Sequence, residues 1–279
     1  VEPHRLLGDF LRARRELISP EEVGLPSGPR RRVPGLRREE VAVLAGISTE
    51  YYLRLEQGRD RHPSEQVLDA IASALRLDTE SRAHALKLAR SNPRRERSMR
   101  KSSHRLETVP KGVLALLDTI NVPAFVMNRY RDVLAANPLA TALEPTLQPG
   151  TNRLLTLFTD PEAREYHPDW AANTASVVAQ LRADTGADGN DARFQALVGE
   201  LSLKSERFRQ LWARHDIRFA GTPSGVIRNP KVGELTLWRE KFLIAGKDDL
   251  VVVMYHADPG SRSADALDLL ASKRTSTID

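Results

Sequence analysis

The sequence predicts two fold classes in one chain: an all-α N-terminal domain of five short helices, then an α+β domain with an antiparallel sheet and a helical insert. Three observations carry this expectation. Helical periodicity without strand-like alternation marks residues 5–17 and, after a loop at 19–35, residues 36–90. A polar, basic and aperiodic stretch, SNPRRERSMRKSSHR at 91–105, then interrupts it. Beyond that stretch, short apolar runs that read as strands enclose a long helical segment. The expected domains are 1–90 and 107–279, with a linker at 91–106 that would carry any coupling between them.

Taken in order, the first helix places Leu6, Leu7, Phe10, Leu11 and Leu17 near one face and Arg12, Arg14 and Arg15 on another. Residues 19–35 hold four prolines and three glycines, which predicts a long loop with an exposed Arg30-Arg31-Arg32 run. From Leu36 to Leu88 the pattern is helical, broken at Gly46, at 58–63 and near Asp78, with Ser64 and Asp78 or Thr79 as N-caps. After a helix at 111–119, PAFVMN and DVLAAN form a hairpin around Arg129–Arg131. Helices dominate 137–215, and His167, Pro168 and Asp169 mark one helix start. Strands return in IRFAG, GVIRNP, GELTLWREKFLIAG and LVVVMYHA, before a last helix from Ser261.

Charge is divided unevenly. Residues 1–105 hold 22 Lys and Arg against 15 Asp and Glu, a net +7, whereas 106–279 hold 20 against 22, a net −2. A basic N-terminal domain fits a partner rich in phosphates. The absence of cysteine excludes disulfides, thiolate zinc sites and cysteine nucleophiles. No stretch approaches the ~20 apolar residues of a membrane span, and the expected setting is the cytoplasm with no membrane partner.

The segment LRREEVAVLAGISTEYYLRLEQGR, residues 36–59, has the make-up of a helix-turn-helix. Val41, Leu44 and Ala45 supply the inner face of one helix, and the small Ala42 lets its neighbour approach. Gly46 permits the sharp turn, Ile47 plugs the gap, Ser48 caps the second helix, and Leu55 continues the core with Tyr51 or Tyr52 beside it. Thr49, Glu50 and Arg54 then project outward where such a helix meets base edges in a major groove, with Tyr51 beside them or at the groove wall. Arg54 suits a bidentate pair to guanine, Glu50 a cytosine amine, and Thr49 a thymine methyl or a phosphate. Arg37, Arg38, Ser48, Gln57 and Arg59 are the candidates for phosphate contacts. The implied partner is double-stranded DNA carrying a near-palindromic operator, bound by a homodimer.

At this point the sequence resembles a known family. Residues 5–90 are similar to Xre/Cro-type helix-turn-helix regulators, and GLRREEVAVLAGISTEYYLRLEQGR resembles the signature of the MmyB-like subgroup. The resemblance continues through NPLATAL, LFTDPEAREYHPDW, LVGELSLKSERFRQLWARHDIR, NPKVGELTL and ADPGSRSADALDLLAS. It implies a transcription regulator whose C-terminal domain has a PAS-like fold and takes a small-molecule effector, fatty acids being the ligand type of the group.

A PAS-like domain holds its ligand between sheet and helices, which points to Leu157, Phe158, Trp170, Val177 and Trp212, with Leu154 and Leu181 nearby. Asn137, Asn173, Arg214 and His215 are the polar candidates, an arginine being suited to clamp a carboxylate. The alternative reading of these side chains is ordinary core, with Arg214 paired to an acid such as Asp216 or Glu234. No catalytic residue, metal site or cofactor beyond such a ligand is expected. The seven histidines are scattered and GTPSG at 221–225 lacks the lysine and helix of a phosphate loop. Two other function classes compete: a module whose helical domain binds a partner protein, and an enzyme fused to a DNA-binding domain.

Overall fold

The computed structural model describes residues 3–26, 33–60, 63–90, 108–185, 191–217 and 224–275. The Arg30–Arg32 run, the linker at 91–106, most of IRFAG and the histidines at 62 and 104 lie outside the described residues. By their contacts the described residues form two compact units. The first comprises 1–100 together with 177–196 and 207–219, and the second 101–176, 197–206 and 220–279.

The five expected N-terminal helices are α1 (Pro3–Leu17), α2 (Arg38–Ala45), α3 (Thr49–Glu56), α4 (Glu65–Ala74) and α5 (Thr79–Arg90). Polar caps start three of them: Ser48 Oγ accepts from Tyr51 N–H, Ser64 Oγ from Val67 N–H, and Asp78 Oδ1 from Ser81 N–H. Their apolar faces meet in one cluster that includes Leu7, Phe10, Leu11, Val41, Tyr52, Leu55, Ile71 and Leu88. Leu17, expected on that face, is half exposed where α1 ends. Ala183 and Ile217, from segments that the sequence assigns to the C-terminal domain, belong to the same cluster, which is why those segments fall in this unit.

The rest of the helical insert and the sheet follow in chain order. They are α6 (Lys111–Thr119), β1 (Ala124–Asn128), β2 (Val133–Ala136), α7 (Pro138–Leu143), α8 (Arg153–Thr159) and α9 (Pro161–Glu165). Next come α10 (Trp170–Thr185), α11 (Ala192–Lys204) and α12 (Glu206–Ala213). Last are β3 (Ser224–Asn229), β4 (Gly233–Ile244), β5 (Lys247–His256) and α13 (Arg262–Thr275). The five strands form one antiparallel sheet in the order β2-β1-β5-β4-β3. Pairing of Phe125 with Val253 and of Ile227 with Leu235 fixes the register.

Strand β1 is buried along its whole length because both sheet faces are covered. Phe125 and Met127 join Leu139, Leu143, Leu267 and Leu270 of α7 and α13 on one face. Ala124 and Val126 join Val109 and Leu117, at and near α6, on the other. The period-2 alternation of side chains thus feeds two separate cores.

Close backbone approach sets one sequence requirement in the first unit. A Cβ on Gly8 would lie 2.2 Å from the carbonyl oxygen of Glu56, so α1 rests directly on the end of α3. Gly8→Ala is expected to lower stability by about 1–3 kcal/mol, because the clash is with backbone that cannot rotate away. Thermal melting followed by circular dichroism checks this, and an unchanged midpoint would contradict the α1–α3 packing.

Candidate functional site

The turn between α2 and α3 is built from backbone hydrogen bonds. Gly46 closes α2 in the left-handed region at φ 65°, its N–H directed to the carbonyls of Ala42 and Val43, and Ile47 N–H donates to Ala42. Nothing lies within 4 Å of a Cβ built at Gly46, so backbone conformation and not space demands the glycine there. Val41, Ala42 and Ala45 form the buried face of α2. Leu44, expected among them, is 38% exposed, since the inward side of this short helix lies along Val41, Ala42 and Ala45 and Leu44 falls at its rim.

Across the turn, Tyr52 is the tyrosine that enters the core, while Tyr51 is half exposed. Thr49, Glu50 and Arg54 are exposed on the outer side of α3. Arg54 Nη1 stands 3.6 Å from Glu50 Oε1, one turn away, and its guanidinium lies 5.6 Å from the Tyr51 ring centre. Arg54 thus has an acidic and an aromatic neighbour on the exposed side of α3. Ser48 uses its hydroxyl as the α3 cap, and Gln57 and Arg59 are exposed just past the helix.

Of the two arginines opening α2, Arg37 is exposed, and its backbone N–H donates to Glu40 Oε2 at 2.6 Å. Arg38 donates from Nε to Glu56 Oε2 at 2.6 Å. The same carboxylate takes Arg15 Nε at 2.6 Å on Oε1, and Arg15 Nη1 donates to the Leu36 carbonyl. Glu56 is 2% exposed in its side chain, so a buried acid at the end of α3 is held by arginines from α1 and α2. Arg38 keeps 42% of its side chain exposed and is anchored inward at its guanidinium.

The second unit contains a cavity of ≈ 210 Å³. Strands β3, β4 and β5 supply its floor, including Ile227, Leu237 and Tyr255, while Ala172, Asn173 and Ser176 from the first half of α10 lie over it. Arg153 and His167 line the same cavity. Arg153 opens α8, where Asn152 Oδ1 caps the helix by accepting from Leu154 and Leu155 N–H. Its Nη1 lies 3.6 Å from Glu144 Oε2 and has no hydrogen-bond partner, and its guanidinium stands 5.3 Å from the Phe125 ring centre. His167 Nε2 lies 3.4 Å from Glu144 Oε1. Burial pushes the Glu144 carboxyl up, but Arg153 and His167 outweigh it and hold the group down at about 2.

Of the side chains expected at a ligand, Asn173 lines this cavity. Leu157, Phe158 and Trp170 pack on one another: Trp170 Nε1 donates to the Leu157 carbonyl at 2.9 Å, and the Phe158 and Trp170 rings meet at 6.4 Å. Asn137 is spent on structure, since its Oδ1 accepts from Ala140 and Ala124 N–H and its Nδ2 donates to Val122. Val177, Trp212, Arg214 and His215 lie in the first unit. Arg214 pairs with Asp216 at 3.0 Å. Sequence reasoning missed Arg153, Tyr255 and Arg239 on the cavity wall. The only local signal was an arginine at the start of the otherwise apolar RLLTLF run, directly after a capping asparagine.

Within the first unit, Trp212 and His215 surround Arg182 of α10. The Arg182 guanidinium lies 3.8 Å from the Trp212 ring centre, Nη2 donates to the Trp212 carbonyl, and Nη1 meets His215 Nδ1 at 3.1 Å. Burial brings Arg182 down to about 9, a drop that Asp216 and Asp9 oppose. Burial, with Arg182, His84 and Arg14 adding to it, lowers His215 to about 3. His84, edge-on to Phe10 at 5.3 Å, is lowered to about 4 by burial and then by Lys87 and Arg182.

These histidines fix the sign of an acid dependence. A histidine held at about 4 in the folded state and at 6.5 when unfolded binds more protons unfolded, so its contribution is full above 6.5 and is lost as pH falls. For His84 the loss reaches about 3 kcal/mol by pH 4. Urea titrations from neutral pH down to pH 4 should show that drop together with a comparable one from His215, and His84→Leu should remove the His84 share, roughly halving the slope. An unaltered slope in the variant would remove His84 as its source.

Two family models match this architecture. A helix-turn-helix domain model covers residues 6–85, and the model of the MmyB-like transcription regulator ligand binding domain covers residues 109–270. No curated protein matches the chain. Among the described residues no helix is long and apolar enough to cross a membrane, and no group of three or more His, Asp or Glu stands close enough to hold a metal ion. A DNA-binding helix-turn-helix joined to a ligand-binding domain is the make-up of a transcriptional regulator, and with the second model spanning more than half of its residues the chain belongs to the MmyB-like transcription regulators.

Proposed function

We propose that the chain binds a near-palindromic operator in double-stranded DNA as a cytoplasmic homodimer, and that a small effector of the fatty-acid kind sets its affinity for that operator. It regulates transcription and performs no catalysis. The observation that carries the first part is the outer side of α3, where exposed Thr49, Glu50 and Arg54 stand over a buried Tyr52–Leu55 face, directly after the Gly46 turn. Such a helix enters a major groove with its N-terminal residues toward base edges. Arg37, Arg59 and Gln57 lie exposed at the two ends of the motif, where phosphates pass, while Arg38 contributes by its inward anchorage.

The effector site is proposed at the cavity over β3–β5. Apolar Ile227 and Leu237 suit a hydrocarbon body, and the buried Arg153 Nη1 lacks a hydrogen-bond partner and suits an anionic head. The ligand acts by binding one DNA-binding arrangement more tightly than another.

Binding to a duplex selected from a random pool tests the first part. Arg54→Ala is expected to cost about 1–3 kcal/mol on the selected duplex and little on scrambled DNA at fixed salt. Arg37→Ala is expected to weaken both duplexes alike and to lower the salt slope by about 1. If Arg54→Ala kept the wild-type ratio between the duplexes, α3 would not be the reading helix. For the cavity, calorimetric titration with hexanoate, decanoate and myristate should find a binder, and Arg153→Met should weaken it by about 1.5–3 kcal/mol. Equal affinities in both proteins would displace the head group from Arg153.

A further inference from the structure

The helical cover of the cavity in the second unit is mostly polar. Asn173 N–H donates to the Asp169 carbonyl at 2.9 Å, so Asp169 already lies on the helical path that opens α10. Asp169, Asn173 and Ser176 follow one another at steps of four and three residues, which puts them on one side of that helix, and all three line the cavity. Thr174, on another side, spends its hydroxyl on the Trp170 and Ala171 carbonyls. Among the described residues, no hydrogen bond is made by the Asn173 side-chain amide. On the floor, pairing of Ile227 with Leu235 and of Arg239 with Tyr255 sets Ile227, Leu237, Arg239 and Tyr255 on one face of the sheet. The floor is therefore apolar at Ile227 and Leu237 and polar at Arg239 and Tyr255.

We propose that the effector is a short acid carrying a hydroxyl along its chain, and that Asn173 recognises that hydroxyl. This inference rests on the effector reading of the cavity. A plain hydrocarbon chain laid under Asp169, Asn173 and Ser176 would strip water from them and return no hydrogen bond. A side-chain amide both donates and accepts, as a hydroxyl does, so each satisfies the other. Arg239 and Asp169 bring opposite charges to the wall, so a second carboxylate on the ligand gains no net attraction there. Size sets the length. At ≈ 210 Å³ the cavity equals about seven waters of ~30 Å³ each, a volume that suits an acid the length of hexanoate and falls far short of myristate.

The test is calorimetric titration of the full chain with hexanoate, its 3-hydroxy and 5-hydroxy derivatives, adipate and myristate. One of the two hydroxy acids is expected to bind about tenfold more tightly than hexanoate, with adipate and myristate weaker than hexanoate. Asn173→Leu removes the amide from a part-exposed helical position where leucine is the better helix former. In that variant hexanoate should bind no more weakly than in the wild type, and the preference for the hydroxy acid should fall below about twofold. Asn173→Ala carries the same expectation for the ratio, should the leucine side chain block the cavity. Arg153→Met should weaken hexanoate and the hydroxy acid by the same factor, which places both in the cavity. A hydroxyl preference that survives both Asn173 variants overturns the inference, as does a hydroxy acid whose affinity Arg153→Met leaves unchanged. Hexanoate, adipate or myristate binding as tightly as the better hydroxy acid overturns it too, and the effector site itself then stands. Failure of every acid to bind removes the effector reading and this inference with it.

Discussion

The arrangement of the DNA-binding unit depends on one buried carboxylate. Glu56 ends α3 and accepts from Arg15 of α1 and Arg38 of α2, so three helices meet at a single charge. Removing a carboxylate from water is costly, and the cost is offset only if its oxygens are fully occupied in good geometry. Two guanidinium groups bonded at 2.6 Å, one to each oxygen, provide that occupancy. Gly8 lets α1 settle against the backbone of the same residue. Apolar packing alone would tolerate α3 at several rotations about its axis. A carboxylate with fixed partners does not, and the outward direction of Thr49, Glu50 and Arg54 follows from it.

A second buried carboxylate, Glu144, has a different position and consequence. Arg153 and His167 flank it, and both line the cavity. At Glu56 the arginines stay within the frame of the first unit, where Arg15 also holds the Leu36 carbonyl and stands 3.5 Å from Glu16. Arg153, in contrast, lines the cavity while its buried Nη1 stands 3.6 Å from Glu144 Oε2 without a hydrogen-bond partner. The same pairing of arginine with buried acid thus holds a frame in one unit and borders a cavity in the other.

Much of the local structure is legible in the chain because it depends on neighbours a few residues away. The Gly46 turn, the Ser48 and Ser64 caps and the hairpin between β1 and β2 each involve short-range hydrogen bonds. Misreadings arose where orientation depends on distant partners. Leu44 and Leu17 carry the apolar character of core residues but stand exposed, one at the rim of α2 and one at the end of α1. Trp212 and His215 resemble ligand contacts in composition and instead enclose Arg182, thirty or more residues earlier in the chain.

By itself the sequence determined the two fold classes, the helix-turn-helix and the outward character of α3, since these follow from periodicity, turn chemistry and capping within short windows. Tertiary structure alone decided that Arg38 is bonded to Glu56 across 18 residues, that the cavity is walled by Arg153, His167 and Tyr255, and that the halves of α10 serve different units. The physical reason is the same in each case. Where a charge is neutralised and which side of a helix is covered depend on which remote segments pack there, and strand register over long separations, such as Phe125 with Val253, sets that packing.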